Sequence, residues 1–286
     1  MAIAETLEAR ARSVADREEI ASFLRHDRRY AAYALGDLDG PNRSRVAWGL
    51  AYDRAGSAIA LGMHHEGLVP QPLFLMGEPD GCRAILASVL RPRDAYFQAT
   101  PMLASAMREH YELDAPLAML RMVVDASSFR AFAGPAEKLG PADTEDLNRL
   151  YQLGFRTGFP PSIFDEGIYY GVRVRGRLVS AAGTHALNVR EGIAVVGNVM
   201  THIDYRGHDF AKMVTSAVTT ELLSRVGDVA LNVHADNAPA IGAYERLGFT
   251  THCELVEQLG RRRSGGWGLI RPIREAIRLT WPREPR

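Results

Sequence analysis

Residues 229–249, VALNVHADNAPAIGAYERLGF, leave few options for the backbone, because a strand pattern runs directly into a helix pattern with the caps of both helix ends in place. Val229, Leu231 and Val233 alternate with Ala230, Asn232 and His234, the period of a pleated strand. Asp236 or Asn237 can accept from the first free amides of a helix over Ala238–Leu247. Pro239 stands where a missing N–H costs nothing, and Gly248 ends the helix. Residues three and four apart stack on one helix face, so Asn237, Ala240 and Tyr244 look back together at the end of the strand.

The segment upstream repeats the arrangement. Ala194–Val199 reads as a strand, Tyr205-Arg206-Gly207 as a turn and Ala211–Leu223 as an amphipathic helix. The free amides and positive dipole end of such a helix form an anion site, suited to a pyrophosphate, and Arg206 adds charge there.

Together the two units resemble the GCN5-related N-acetyltransferase superfamily, whose phosphate turn has the pattern (Q/R)-x-x-G-x-(G/A) and is followed by a D-N-x-x-A-x-x-x-Y-E-(K/R)-L-G-F helix. Asp236, Asn237, Ala240, Tyr244, Glu245, Arg246, Leu247, Gly248 and Phe249 match the second pattern throughout. In the first pattern Arg206 and Ala211 match, and Asp209 stands where the family has glycine. The resemblance covers roughly residues 134–259 and is nearest to the subgroup that carries a second, degenerate lobe in front.

The resemblance implies an α+β fold of tandem lobes, each a mostly antiparallel twisted sheet flanked by helices. It also implies transfer of an acetyl group from acetyl-CoA to the amine of a small-molecule or amino-acid-like acceptor by direct attack. Tyr244 then takes the place of the family's general acid at the departing sulfur, and Asn237 steadies the pantetheine arm. Backbone groups of Val199, Met200 and Thr201 pair with the pantetheine amides, and the amides from Gly207 through His208, Asp209, Phe210 and Ala211 to Lys212 take the phosphates. No motif fixes the general base. Glu166, in the Pro-rich connection FPPSIFDEGIYYG, His185, at the end of an apolar strand, and His202 are the candidates. Asn198, polar within an apolar strand, is read on the same resemblance as the seat of a bulge that splays two strands.

Asp209 supports a second reading. A carboxylate about 4 Å from a pyrophosphate charge costs up to ~4 kcal/mol at an effective dielectric near 20, with Arg206, His208 and Lys212 near enough to offset part of it. Aspartate is also among the best N-cap residues, so its side chain can occupy the amides that a phosphate would use. On that reading the chain is a CoA-binding or cofactor-free pseudoenzyme with its phosphate turn closed by Asp209.

With 286 residues, two domains are expected: residues 1–130 as a degenerate acetyltransferase-like lobe, 131–260 as the acetyl-CoA-binding domain, and 261–286 as a basic tail. In the first lobe Asp16–Leu24 reads as a helix, Val46–Tyr52 and Ala58–His64 as paired strands, and residues 73–76, 95–98 and 117–124 as further strands, with helices over 81–90 and 102–110. The leading residues, MAIAETLEARARSVADREEI, read as a charged helix with no signal-like apolar run, and cytoplasm is the default location. Equal totals of basic and acidic residues argue against a general nucleic-acid or membrane binder. Two cysteines supply neither a disulfide framework nor a metal set, so no metal is expected. The tail carries Arg261-Arg262-Arg263 and a stripe of Ile270, Ile273, Ile277 and Trp281, which suits docking on the first lobe or on a second copy in a homodimer.

Overall fold

The computed structural model describes residues 9–40, 43–152 and 158–263. The chain forms two compact units. The first gathers the residues up to Arg121 with His234–Asp236 and the segment from Thr251, while the second holds Met122–Val233 and Asn237–Thr250.

In the first unit β1 (Arg10–Val14), α1 (Arg17–Leu24) and α2 (Ala32–Asp39) precede the antiparallel strands β2 (Val46–Tyr52), β3 (Ala58–His65) and β4 (Pro72–Gly77). Then come α3 (Pro79–Ser88), β5 (Asp94–Ala99) parallel to β4, α4 (Ala104–His110), β6 (Tyr111–Leu113) and the start of β7 (Leu117–Asp125), whose residues from Met122 on belong to the second unit. The expected strands and helices of this half are all present, within a few residues of their ends. The leading segment is different: Arg10–Val14 is not helical but pairs antiparallel with β2, from Arg10 opposite Tyr52 to Val14 opposite Trp48. Only Val14 of these five residues is buried, and alternating arginines suit an edge strand. The helix starts after Asp16, whose side chain accepts from the Glu19 amide at 2.7 Å. Residues 1–8 lie outside the described residues.

The second unit contains β8 (Glu137–Lys138), α5 (Thr144–Tyr151), α6 (Ile163–Glu166), β9 (Tyr169–Val174), β10 (Arg177–Asn188) and β11 (Ile193–Thr201). After these come α7 (Phe210–Leu223), β12 (Asp228–His234) and α8 (Ala238–Arg246). Strands β8 to β11 pair antiparallel in sequence order and β11 pairs parallel with β12, so the fold is α+β with a mostly antiparallel sheet flanked by helices.

The expected boundary at residue 260 is displaced by the last strand. Here β13 (Thr250–Arg262) pairs with β5 from Val256 opposite Ala99 to Arg261 opposite Asp94, and with β6 from Gly260 to Arg262. The chain therefore returns to the first unit after completing the second. The arginines assigned to a tail are likewise held by this unit: Arg261 binds Asp94, Arg262 donates to the Leu86 carbonyl and lies over the Tyr111 ring, and Arg263 donates to the Arg108 carbonyl. The Ile270–Trp281 stripe lies outside the described residues.

Arg173 on β9 ties this strand to its surroundings. Its guanidinium reaches Glu137 of β8 at 2.7 Å, Asp143 at 2.6 Å and Asp146 of α5 at 2.5 Å. Three carboxylates around one partly buried fork form a network rather than an isolated pair. Arg173→Met is therefore expected to cost about 1–2 kcal/mol, read as a lower urea midpoint, with the loss shrinking in high salt.

Candidate active site

In the second unit, β11 and β12 pair only from Ile193 opposite Asp228 to Val195 opposite Ala230. Beyond that the parallel ladder stops while both strands continue, to Thr201 and His234. Among the described residues no pairing joins the two strands beyond it, which leaves an opening between them. On the other side of β11 the ladder with β10 holds two bulges. Between Ala181/Met200 and Gly183/Gly197 the extra residue is on β11, and between Thr184/Val196 and Ala186/Val195 it is His185 on β10.

Asn198 sits in the first bulge with φ +54, the left-handed region that asparagine tolerates better than most residues. It is fixed from two sides. Tyr151 of α5 donates to its backbone oxygen, and its amide nitrogen donates to the Tyr169 hydroxyl at 3.2 Å. Both tyrosines belong to a core with Leu139, Leu147, Leu150 and Leu178. The bulge expected at Asn198 is thus present, and its rigidity comes from two buried phenols that no local pattern in the sequence joins to it. Asn198→Ala combines left-handed strain with one lost hydrogen bond and should cost about 2–3 kcal/mol in chemical unfolding, whereas Asn198→Gly should recover the strain part.

Strand alternation decides which backbone groups face the opening. The His202 amide donates to Val179 of β10, so residues two apart from it also turn toward β10. The Met200 carbonyl accordingly accepts from Ser180 Oγ at 3.0 Å. Val199 and Thr201 point their backbone groups the other way, toward β12. Of the three residues expected to meet pantetheine, Val199 and Thr201 turn their backbone away from β10 and Met200 turns its own toward it.

At the end of β11 the chain turns through Ile203–Tyr205 into α7. Gly207 has φ +81 with open space where a Cβ would stand, and Arg206 and His208 are exposed. His208 stacks on Phe210 with ring centroids 5.6 Å apart. Asp209 takes φ +59, the conformation a glycine would supply at this position. Its side chain makes no capping bond to α7. It binds Lys212 Nζ at 3.0 Å instead, and that buried ammonium also lies 3.8 Å from the centroid of the Phe132 ring. The expectation that Asp209 occupies the helix amides is therefore not met. The first helical bond is from Met213 to the Asp209 carbonyl, which leaves the amides of Phe210, Ala211 and Lys212 without a partner among the described residues. Those three amides at a helix N-terminus fit an anionic group, and Asp209 faces it already paired with a cation. The ammonium of Lys212 is engaged in that pair, so only its amide is open to a ligand.

Asn237 caps α8 by accepting from the Ala240 amide at 3.2 Å, as its spacing predicts, and its side-chain nitrogen has no partner within the described residues. Tyr244, on the same helix, is 7% exposed and packs against Phe249 at 6.1 Å. Its hydroxyl makes no hydrogen bond among the described residues, and burial pushes its pKa up to about 12.

The base candidates separate. His202 is buried, with Nε2 2.9 Å from a guanidinium nitrogen of Arg177 and Nδ1 3.2 Å from the Asp204 amide. Both neighbours are donors and a neutral imidazole has one acceptor nitrogen, so only one of the two contacts is a hydrogen bond. His185 is exposed at the bulge of β10, its ring lying across Gly197, where a Cβ would come within 2.9 Å of it. Glu166 closes α6, and its side chain lies outside the described atoms. No cluster of metal-ligating side chains occurs among the described residues.

The first unit has a corresponding pair of parallel strands, β4 and β5, without a phosphate turn. Helix α3 begins with Pro79 and carries Asp80 in its first turn. Beside the ladder of residues 72–74 with 96–98, the buried Tyr30 hydroxyl donates to the Leu75 carbonyl at 2.5 Å. A backbone group beyond the last ladder pair is thus already satisfied by a side chain.

A sheet of this order, splayed after a bulged strand and served by a glycine-bearing turn at a helix N-terminus, is the GCN5-related N-acetyltransferase fold. Within it, residues 169–257 match the FR47-like protein family. Similar solved structures include an acetyltransferase of the GNAT family from Novosphingobium aromaticivorans, with TM-score 0.58 and 21% identity over 83% of this chain and 100% of that one. A GCN5-related N-acetyltransferase from Sphaerobacter thermophilus gives TM-score 0.54 and 16% identity over 94% and 99% of the two chains. The tandem GNAT protein from the clavulanic acid biosynthesis pathway gives 0.54 and 14% over 91% and 100%. At these identities the likeness is one of fold. A search of curated proteins finds no match.

Proposed function

We propose that the second unit is an acyl-CoA-dependent N-acyltransferase that moves an acetyl group from acetyl-CoA to the amine of a small-molecule or amino-acid-like acceptor. The observation that carries this reading is the opening between β11 and β12, with the three unpartnered amides of α7 at one end of it. When bound, acetyl-CoA supplies a thioester carbonyl open to attack by an amine and a thiolate able to leave. Val199 and Thr201 hold an extended amide chain as an added strand, Gly207 and the amides of Phe210 to Lys212 hold phosphate, and Arg206 adds an exposed charge. Asn237 offers its free side-chain nitrogen to the same chain.

Tyr244 stays protonated at neutral pH, because burial holds its pKa near 12. A phenol that weak cannot hand its proton fully to a thiolate with a pKa around 8.5, so its contribution is a hydrogen bond to sulfur as charge develops there. His185, exposed beside the bulge, is our choice to relieve the acceptor ammonium of its proton, with Glu166 as the second candidate. The first unit serves as a degenerate lobe. Its strand opening is tied by Tyr30.

Calorimetric titration of acetyl-CoA tests the reading, with micromolar binding as the expected result. No saturable heat at millimolar acetyl-CoA would remove it. The reading in which Asp209 closes the turn loses its structural basis, since the carboxylate binds Lys212 and not the amides.

A further inference from the structure

The first unit contains a second concavity that the transfer reaction does not use. It lies between β1, β2, α1 and α2, has a volume of about 250 Å³, and is lined by Val14, Ile20, Leu38, Val46 and Trp48 together with Arg43. Val14, Ile20, Leu38 and Trp48 are buried side chains that form an apolar floor, whereas Arg43 is exposed. Ser13, also exposed, lines the same space.

Arg43 is the one charged side chain that lines it among the described residues, and several charges nearby are engaged elsewhere. Asp16 accepts from the Glu19 amide, Glu18 is paired with Arg17 and Arg25, Glu19 with Arg12 and Tyr52, and Asp39 with Arg17. Arg43 has no ion pair among the described residues. A planar guanidinium beside a floor of apolar side chains selects for a carboxylate attached to a hydrocarbon body, because the fork matches two oxygens while the floor packs against the rest. We propose that this cavity binds a small apolar monocarboxylate, with an aliphatic or aryl body seated against Trp48 and the carboxylate on Arg43 and Ser13. The volume corresponds to about eight waters of liquid, which admits a body of about ten non-hydrogen atoms.

Sodium octanoate is the probe, titrated calorimetrically into the full chain beside 1-octanol and octylammonium. The expected result is one saturable site per chain for octanoate with Kd below about 1 mM, at least about tenfold tighter than either comparator, as a charge-assisted hydrogen bond implies. Arg43→Gln, at an exposed position that should not disturb folding, should erase the preference over octanol. Val46→Trp should fill the chamber and abolish both. Octanoate should still bind when the chain is saturated with acetyl-CoA, which separates this site from the transfer site. The proposal is overturned if octanoate shows no saturable binding, binds no better than octanol, binds Arg43→Gln unchanged, or is displaced by acetyl-CoA. A circular dichroism spectrum of Val46→Trp that departs from the parent's removes that variant from the comparison and leaves Arg43→Gln to decide.

Discussion

Asp209→Gly should tighten acetyl-CoA binding about thirtyfold, while Lys212→Met should weaken it by about tenfold. Both follow from Coulomb's law applied to one ion pair. A carboxylate about 4 Å from a phosphate charge costs ~4 kcal/mol at an effective dielectric of 20 and ~1 kcal/mol in bulk water. The Asp209 side chain is half exposed, which puts its repulsion between these limits, at about 2 kcal/mol, or about thirtyfold in affinity. Lys212 is buried at 3.0 Å from it and contributes an attraction to the same phosphate over a longer distance, worth about 1–2 kcal/mol. Asp209→Asn separates charge from backbone, since asparagine tolerates the left-handed conformation at φ +59 nearly as well as aspartate. It should deliver most of the gain, and the difference from the parent should fall as salt is raised. Titration calorimetry of the three variants at two salt concentrations reads all of this. Equal affinities for parent, Asp209→Asn and Asp209→Gly would show that this carboxylate does not face the phosphates, and the turn would lose its assignment.

The parts of this site legible in the sequence are those built from near neighbours. The strand-helix units β11–α7 and β12–α8 follow from alternation, helical spacing and caps, and Asn237 caps α8 as its position before Ala238 and Pro239 requires. The Asp209–Lys212 pair spans three residues on a helix, so its compensation of charge was readable from spacing. The direction of the Asp209 side chain was not, because a cap and an i,i+3 pair compete for the same carboxylate and the burial of Lys212 beside Phe132 decides between them. Tyr151 and Tyr169 lock a bulge that lies 47 and 29 residues further along the chain, and no local pattern marks such a partnership. The partition of strands failed for a related reason. Alternation identifies β13 as a strand but does not say which sheet edge will take it, and the edge was that of β5, over 150 residues earlier. On β1 the two arginines and Ala11 have good helix propensity, yet pairing with β2 overrides it.

Tyr244→Phe should lower kcat by more than tenfold while leaving the affinity for acetyl-CoA within about twofold. The expectation comes from where the charge is at each stage. In the bound ground state the thioester sulfur is a poor acceptor and gains little from the phenol. As the carbon–sulfur bond breaks the sulfur becomes an anion, and a hydrogen bond to a charged group in a buried site contributes about 1.5–3 kcal/mol, or about 10- to 100-fold in rate. Because the Tyr244 hydroxyl has no partner among the described residues, removing it leaves no protein group newly unsatisfied, so the fold should tolerate the change. The variant also carries a signature in stability. The folded-state pKa, near 12, lies above the unfolded value near 10, so stability is fully present below pH 10 and lost as the pH rises toward 12, by up to about 2–3 kcal/mol. Phenylalanine lacks that loss, so the two chains should diverge above pH 10 in alkaline unfolding experiments, with the variant becoming the more stable. If kcat fell without any such change above pH 10, the phenol would not be buried as described. A Tyr244→Phe enzyme that turns over at the parent rate would place the hydrogen bond to sulfur elsewhere, with the thiolate leaving unaided because its own acidity suffices at neutral pH.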